Sequence, residues 1–222
     1  MATNTSYINS ISRDYVITSN PGFNMYGFFN YTNRTTHNIN STTYIPSNFN
    51  VYTATARQWA YCFCNRKDLT SIPDYDMSNA KNFYNTFGSC SNLTTTPSIP
   101  TGVTDMTRTF YGCSNLTQPP VIPSTVTQMY YAFYGCSKLQ NPPNIPTSVT
   151  NMLSTFYSCT NIRGDMYIFS NNITCAATCF KSKSRSYRLN IHCYSGTSTY
   201  STFNSYLKGT SNSQLNIRLQ TM

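Results

Sequence analysis

Residues 113–135 read CSNLTQPPVIPSTVTQMYYAFYG, and residues 136–158 read CSKLQNPPNIPTSVTNMLSTFYS. The two stretches align without a gap, and residues 90–112, CSNLTTTPSIPTGVTDMTRTFYG, align with both. Cys, Leu, Ile-Pro, Val-Thr, Met and Phe recur at the same positions of each stretch. Self-similarity at a fixed period is the sequence signature of a repeat array. This repeat therefore decides the fold class.

A column of phenylalanines carries the register beyond these three units. One phenylalanine recurs in every unit at a nearly constant spacing, and the members of the column are Phe63, Phe87, Phe110, Phe133, Phe156, Phe180 and Phe203. In the first unit, Arg66 stands at the Cys position and Trp59 at the Met position. One short unit cannot bury its apolar positions alone, so the units are predicted to stack and turn each column into a buried ladder.

Each unit is predicted to contain two extended stretches and a turn. Prolines such as Pro119, Pro120 and Pro123 exclude a helix from the first stretch, which runs from Leu to Ile-Pro. The second stretch, V-T-x-M-x-x-x-F, is predicted to be extended as well. A turn rich in Gly, Ser and Asn then leads through Cys to the next unit. The predicted fold class is a β-rich solenoid.

Three regions follow from the register. Residues 1–55 show no repeat and are predicted to form an N-terminal cap or docking segment. Residues 56–206 are predicted to form a solenoid array of about seven repeat units. Residues 207–222 form a tail in which Leu215, Ile217 and Leu219 alternate with polar residues. Such alternation predicts a strand, here one that caps the C-terminal end of the array.

The units resemble the BspA-like leucine-rich repeats, whose pattern runs through C-x-x-L, I-P, V-T-x-I or V-T-N-M, and A-F or M-F followed by Cys. Residues 149–152, VTNM, and residues 131–136, YAFYGC, match that pattern most closely. The resemblance covers residues 56–206, with weaker repeats at both ends. It implies a protein used in recognition and adhesion, and it implies no common chemical activity.

The nine cysteines invite a disulfide or metal interpretation. Four of them, Cys90, Cys113, Cys136 and Cys159, share one column, so stacking predicts a ladder of buried thiols about 5 Å apart. The pairs Cys62-x-Cys64 and Cys175-x-x-x-Cys179 lack zinc-site spacing, and a single disulfide in either stays open. No metal site and no cofactor are predicted.

Catalytic signals are lacking in the sequence. The two histidines, His37 and His192, lie in dissimilar contexts, and no nucleophile, zinc-protease or phosphate-loop motif occurs. The chain is therefore predicted not to be an enzyme. The tripeptide Arg163-Gly164-Asp165 is predicted to be a turn between units rather than an integrin-binding signal.

Charge is scarce and one-sided. Charged residues make up 9% of the chain, Glu is absent, and the net charge is +9. One local concentration of basic residues, Lys181 to Arg188, is predicted to be a solvated loop, with a binding patch for acids or phosphate as the alternative. Because the basic residues form no repeated column, nucleic acid is not the predicted partner. No run of about 18 apolar residues predicts a membrane span.

The predicted function is a non-enzymatic virion component, such as a phage fibre, decoration or tail-associated protein, located in the virion. Its predicted partners are neighbouring virion proteins or a host-surface receptor, and homo-oligomerisation stays open. The start of the chain shows no secretory signal, and the Asn-, Thr- and Tyr-rich surface is neutral. The alternatives are a bacterial cell-surface adhesin and an intracellular interaction scaffold in the cytoplasm. The candidate binding residues are Arg108, Tyr130, Tyr131, Leu153, Lys181, Lys183, Arg185 and Arg188.

Overall fold

The computed structural model describes residues 57, 59–72, 75–174, 176–208 and 216–222. The predicted N-terminal segment, residues 1–55, lies outside the described residues. In the described part, the repeats follow one another as stacked coils. We call one pass of the chain through the repeat register a coil.

The phenylalanine column forms one continuous stack. All seven rings are fully buried. From Phe63 to Phe180, successive ring centroids lie 5.4 to 5.6 Å apart, with interplanar angles of 13° or less. Phe203 continues the stack with a tilted ring, 6.3 Å from Phe180. Stacked aromatic pairs contribute about 0.5–1.5 kcal/mol beyond the area they bury. The prediction of a buried ladder is confirmed for this column.

The aliphatic columns are buried beside the phenylalanines. The Leu, Val, Met and Ile-Pro columns include Leu116, Val126, Met129 and Ile145, each of which is fully buried. Ile168, which was not assigned to a column, extends the Ile column, because it forms a parallel bridge with Ile145 and is fully buried. The apolar core thus runs along the whole described array.

The cysteine column is confirmed as a ladder of buried free thiols. Cys90, Cys113, Cys136 and Cys159 are fully buried and form no disulfide. Each Sγ lies 3.0 or 3.1 Å from the carbonyl oxygen of a Phe on the preceding coil and donates a hydrogen bond to it. Cys64 is also a free thiol, so it does not pair with Cys62. Cys175 lies outside the described residues.

The V-T-x-M-x-x-x-F segment is extended only in its first half, V-T-x-M, where single parallel bridges such as Asp105 to Gln128 join neighbouring coils. Its second half is a run of turns, and there its prediction as an extended stretch is wrong. Amides at alternate positions reach the next coil: the Arg108 amide donates to the Tyr130 carbonyl at 2.9 Å, and Phe110 donates to Ala132 at 2.8 Å. The amides between them close local turns, as Thr109 donates to the Met106 carbonyl at 3.1 Å. The backbone donors of this segment are thus used without a regular strand.

The turns need two left-handed residues in each coil. Arg108 has φ of 56° and Gly112 has φ of 70°, and both occupy the third position of a turn, where a type II turn requires positive φ. The first of these columns is Tyr61, Asn85, Arg108, Tyr131, Ser154 and Thr178. The second column is Asn65, Ser89, Gly112, Gly135, Ser158 and Ser182, of which the last lies in the basic loop. The predicted Gly-, Ser- and Asn-rich turn is confirmed at the second column.

Regular strands are confined to the C-terminal part of the described residues. Strand β1 spans Gly164–Tyr167, β2 spans Leu189–Cys193, and β3 spans Ile217–Thr221. They form a parallel sheet in the order β1-β2-β3, with Gly164 opposite Leu189 and Leu189 opposite Ile217. Earlier coils are joined at single parallel bridges, such as Asp105 to Gln128. The array is therefore less β-rich than predicted. The extended stretches of the described coils before Gly164 form only single bridges, and turns take up the second half of V-T-x-M-x-x-x-F.

Three local outcomes differ from or extend the predictions. Gly164 begins β1, so Arg163-Gly164-Asp165 is not a turn, and the Asp165 carboxylate accepts hydrogen bonds from Asn190 at 2.9 Å and His192 at 2.8 Å.

Helix α1, Ser198–Lys208, was not predicted. Its cap is Thr197, whose Oγ1 accepts a hydrogen bond from the Tyr200 amide at 3.2 Å. Strand β3 covers part of the predicted tail strand, and its role as a cap stays a prediction.

The first described coil replaces the buried thiol by an ion pair. Arg66, at the Cys position, is buried and donates two hydrogen bonds to the Asp68 carboxylate, from Nε at 2.8 Å and from an Nη at 2.6 Å. These bonds lower the pKa of Asp68 below its ordinary value. The partner within the same coil thus allows a charged residue to occupy a position that is a buried thiol in the later coils.

Candidate protein-binding face

The left-handed columns create a surface on which side chains vary from coil to coil. Arg108 and Tyr131 occupy equivalent positions on neighbouring coils and are both half-buried. The residue directly after the column phenylalanine lies beside them and is also half-buried. In the central coils this residue is Tyr111, Tyr134 or Tyr157. The backbone turns are held by hydrogen bonds between coils, so these side chains stand on a fixed frame.

Three tyrosines form a second aromatic ladder at this surface. The ring centroids of Tyr111 and Tyr134 lie 4.8 Å apart, and those of Tyr134 and Tyr157 lie 4.6 Å apart, with interplanar angles of 11° and 13°. The Lys181 Nζ continues the ladder, 5.9 Å from the Tyr157 ring centroid. A cation at this distance from an aromatic ring is attracted by the ring quadrupole.

A cluster around Arg108 joins the tyrosine ladder from the side. The guanidinium carbon of Arg108 lies 5.5 Å from the Tyr131 ring centroid and 5.7 Å from the Tyr111 ring centroid. Tyr131 contacts Tyr130 edge-on at 4.1 Å and lies 5.3 Å from Tyr134. We name this surface the turn face, and define it as Arg108, Tyr111, Tyr130, Tyr131, Tyr134, Tyr157 and Lys181.

The structure brings together four of the eight candidate binding residues. Arg108, Tyr130, Tyr131 and Lys181 belong to the turn face. Leu153 is half-buried on the next coil, where its carbonyl accepts a hydrogen bond from the Tyr131 amide at 3.0 Å. The three tyrosines of the ladder were not among the candidates. Each directly follows a column phenylalanine, so the repeat register could have identified them.

The basic loop divides into exposed and buried residues. Arg185 and Arg188 are exposed, as predicted for a solvated loop. Lys183 is 3% exposed and donates hydrogen bonds to the carbonyl oxygens of Ser184 and Tyr187, so its assignment to a binding surface is wrong. Desolvation lowers the pKa of Lys183 to about 8. The ammonium group satisfies backbone acceptors inside the loop and is not presented to a partner.

Acidic partners for the turn face are absent from the described part of the chain. The ion pairs there are Arg66–Asp68 and His192–Asp165. Arg108 therefore has no carboxylate partner among the described residues, and its Nε is buried without a hydrogen-bond partner. The turn face is thus cationic and aromatic.

Neither a metal centre nor a membrane helix occurs among the described residues. They contain no group of three or more His, Cys, Asp or Glu side chains that could hold a metal ion. No described helix has the length and the apolar character needed to cross a membrane.

Stacked coils with a shared core define a repeat protein with a solenoid-like fold. Residues 28–139 and 81–208 match the family model of the BspA type leucine rich repeat region, in six copies. The chain therefore belongs to this family of repeat proteins, as the motifs indicated. No curated protein and no solved structure matches the chain.

Proposed function

We propose that the chain is a non-enzymatic virion component, of the fibre, decoration or tail-associated kind, that binds other proteins through the turn face. The observation that carries the binding proposal is the continuous row from Arg108 through the tyrosine ladder to Lys181. Tyr and Arg are enriched at protein interfaces because they combine a large apolar surface with hydrogen-bonding groups. Leucine-rich repeats of this type are protein-binding repeats.

Composition supports the location in a virion. With no Glu and 9% charged residues, the surface is hydrated mainly by neutral Asn, Ser, Thr and Tyr side chains. Such a surface suits a repetitive external scaffold. The partners under this proposal are neighbouring virion proteins or a host-surface receptor.

A bacterial cell-surface adhesin is the second candidate. It is favoured by the BspA type repeats, since the family resemblance implies recognition and adhesion at surfaces. Both candidates use the same turn face, and they differ in where the chain is displayed.

The location is tested by quantitative mass spectrometry of purified particles and of cell fractions from the host that produces the chain. We expect the chain to co-purify with particles at a constant ratio to the major structural proteins across a density gradient. Recovery from the outer cell surface, with none in particles, would establish the adhesin instead. Recovery from the cytoplasm alone would establish an intracellular scaffold.

The role of the turn face is tested by the double variant Tyr134→Ser, Tyr157→Ser. We expect its incorporation into particles, or its attachment to host cells, to fall by at least about tenfold, since Tyr is enriched among the interface residues whose truncation costs about 2 kcal/mol or more. The matched control is Tyr194→Ser, which removes a tyrosine that is 43% exposed and lies outside the turn face. Equal losses for the double variant and the control would contradict the assignment.

A further inference from the structure

A groove of about 360 Å³ opens at the Arg108 end of the turn face. The residues that line it include Tyr61, Asn65, Asn85, Ser89, Arg108 and Tyr111. All of these except Tyr111 have positive φ, so the groove is formed mainly by side chains that the left-handed turns of adjacent coils carry. Its walls present rings, amides, a hydroxyl and one guanidinium.

The groove lies where the tyrosine ladder stops. The ladder position before Tyr111 is Gly88, which carries no ring. The Asn85 amide lies over Gly88 instead: a Cβ added to Gly88 would stand 2.0 Å from Asn85 Oδ1. The Asn85 Nδ2 donates a hydrogen bond to Cys64 Sγ at 3.3 Å, which holds the amide in that place. The Asn85 amide thus takes the place of a ring at this position and forms part of the groove wall.

Arg108 is the charged residue that lines this groove. Its guanidinium lies against Tyr111 and Tyr131, which keep it in place. Within the described residues it has no carboxylate partner, and its Nε makes no hydrogen bond. A buried donor that lacks a partner is unfavourable, and a guanidinium binds a carboxylate through paired, charge-assisted hydrogen bonds.

We propose that this groove binds the carboxylate of an Asp or Glu side chain from a protein partner. The proposal rests on the protein-binding function proposed above and specifies the chemistry of the partner. Asn65, Asn85 and Ser89 add amide and hydroxyl donors that neutral groups of the same partner segment can use. The groove volume of about 360 Å³ has room for an acidic side chain together with neighbouring groups of the same partner segment.

Charge complementarity favours a different protein over a second copy of this chain. The chain has no Glu, and its net charge of +9 makes two copies repel each other. Of its six acidic residues, Asp68 and Asp165 are already paired within the described part. A partner segment with several carboxylates would be attracted over a longer range as well.

The test is an NMR titration of the isotope-labelled full chain with the peptide acetyl-Ala-Glu-Ala-amide. We expect saturable shifts of the Tyr61, Ser89 and Arg108 amides. The isosteric peptide acetyl-Ala-Gln-Ala-amide is expected to bind at least about tenfold more weakly, because it lacks the charge. Inorganic phosphate and glucuronate, titrated separately, distinguish a protein carboxylate from other anions.

Two variants connect binding to the groove. Arg108→Asn removes the charge and introduces the residue that occupies the equivalent left-handed position at Asn85, so the fold is retained. It is expected to lose at least about tenfold in affinity for the Glu peptide. The matched control, Arg188→Asn, removes an exposed arginine outside the groove and is expected to bind normally.

Equal binding of the Glu and Gln peptides would overturn the proposal, as would unchanged binding to Arg108→Asn. Binding of phosphate or glucuronate as tight as that of the Glu peptide would overturn the assignment to a protein carboxylate. These outcomes are separable from the proposed function. If the titration fails while Tyr134 and Tyr157 are still required for incorporation, only the groove proposal is rejected. If Tyr134 and Tyr157 are dispensable for incorporation, the turn face is rejected as the binding surface.

Discussion

Phe133→Ala is expected to lower the free energy of unfolding by about 3–5 kcal/mol. Phe133 is fully buried, and its ring lies 5.5 Å from Phe110 on one side and 5.5 Å from Phe156 on the other. The cavity left by Ala cannot close, because backbone hydrogen bonds fix the distance between the coils on both sides. The loss is measured as a shift of the urea midpoint at constant slope, followed by circular dichroism.

Phe169→Ala provides the matched control. Phe169 stands outside the column and is 37% exposed, so the same truncation is expected to cost less than about 1 kcal/mol. A loss at Phe133 that is also below about 1 kcal/mol would mean that the stack does not support the fold. Comparable losses at the two positions would mean that the column has no special place in the core.

The thiol ladder is expected to be almost inert in the folded protein. Burial raises the pKa of Cys90 from 9.0 to about 12, and it raises the pKa of Cys113 and Cys136 well above the ordinary value. Because alkylation requires the thiolate, a shift of this size lowers its population about a thousandfold near neutral pH. Steric exclusion adds to this protection. We expect iodoacetamide to modify these cysteines at least a thousandfold more slowly in the native protein than in urea.

Peptide mapping by mass spectrometry gives the rate for each cysteine. Because the pKa is raised only in the native state, raising the pH from about 7 to about 9 should ionise about half or more of the thiols in urea, while those of the native state stay almost wholly protonated. Native labelling of Cys113 or Cys136 within a factor of about ten of the denatured rate would contradict a buried ladder. The denatured sample of the same protein serves as the control.

The core could be predicted from the sequence because each column repeats one residue type. Stacked coils place equivalent residues in contact, so a column of Phe or Cys that recurs once in each unit predicts both burial and neighbours. Ile168 was missed because the residue after it is Phe169, and the Ile-Pro motif that marked its column is lost. Thr86 and Thr109 were missed as well, although each is fully buried and donates its hydroxyl hydrogen to a carbonyl of the preceding coil at 2.9 Å.

The local backbone was harder to predict. The segment V-T-x-M-x-x-x-F is predicted to be extended throughout, but the positive φ at Arg108 and Tyr131 has no signature in residues that prefer other conformations. Helix α1 keeps Phe203 in its column while the backbone changes, so periodicity alone could not reveal it. Lys183 shows the same limit for the candidate site: its residue type suggested a solvated charge, and only the fold shows the carbonyl groups that bind it.

Removal of one whole unit tests the repeat register most directly. Deleting residues 114–136 joins Cys113 to Ser137, which follows the equivalent cysteine, so every column stays in register. We predict that this variant still unfolds in urea in one cooperative transition, with a smaller slope because less surface is buried. A half-unit deletion of residues 114–125 breaks the register and is predicted to abolish the transition. Loss of cooperative unfolding in the whole-unit variant, or its survival in the half-unit variant, would contradict the stacked-coil architecture.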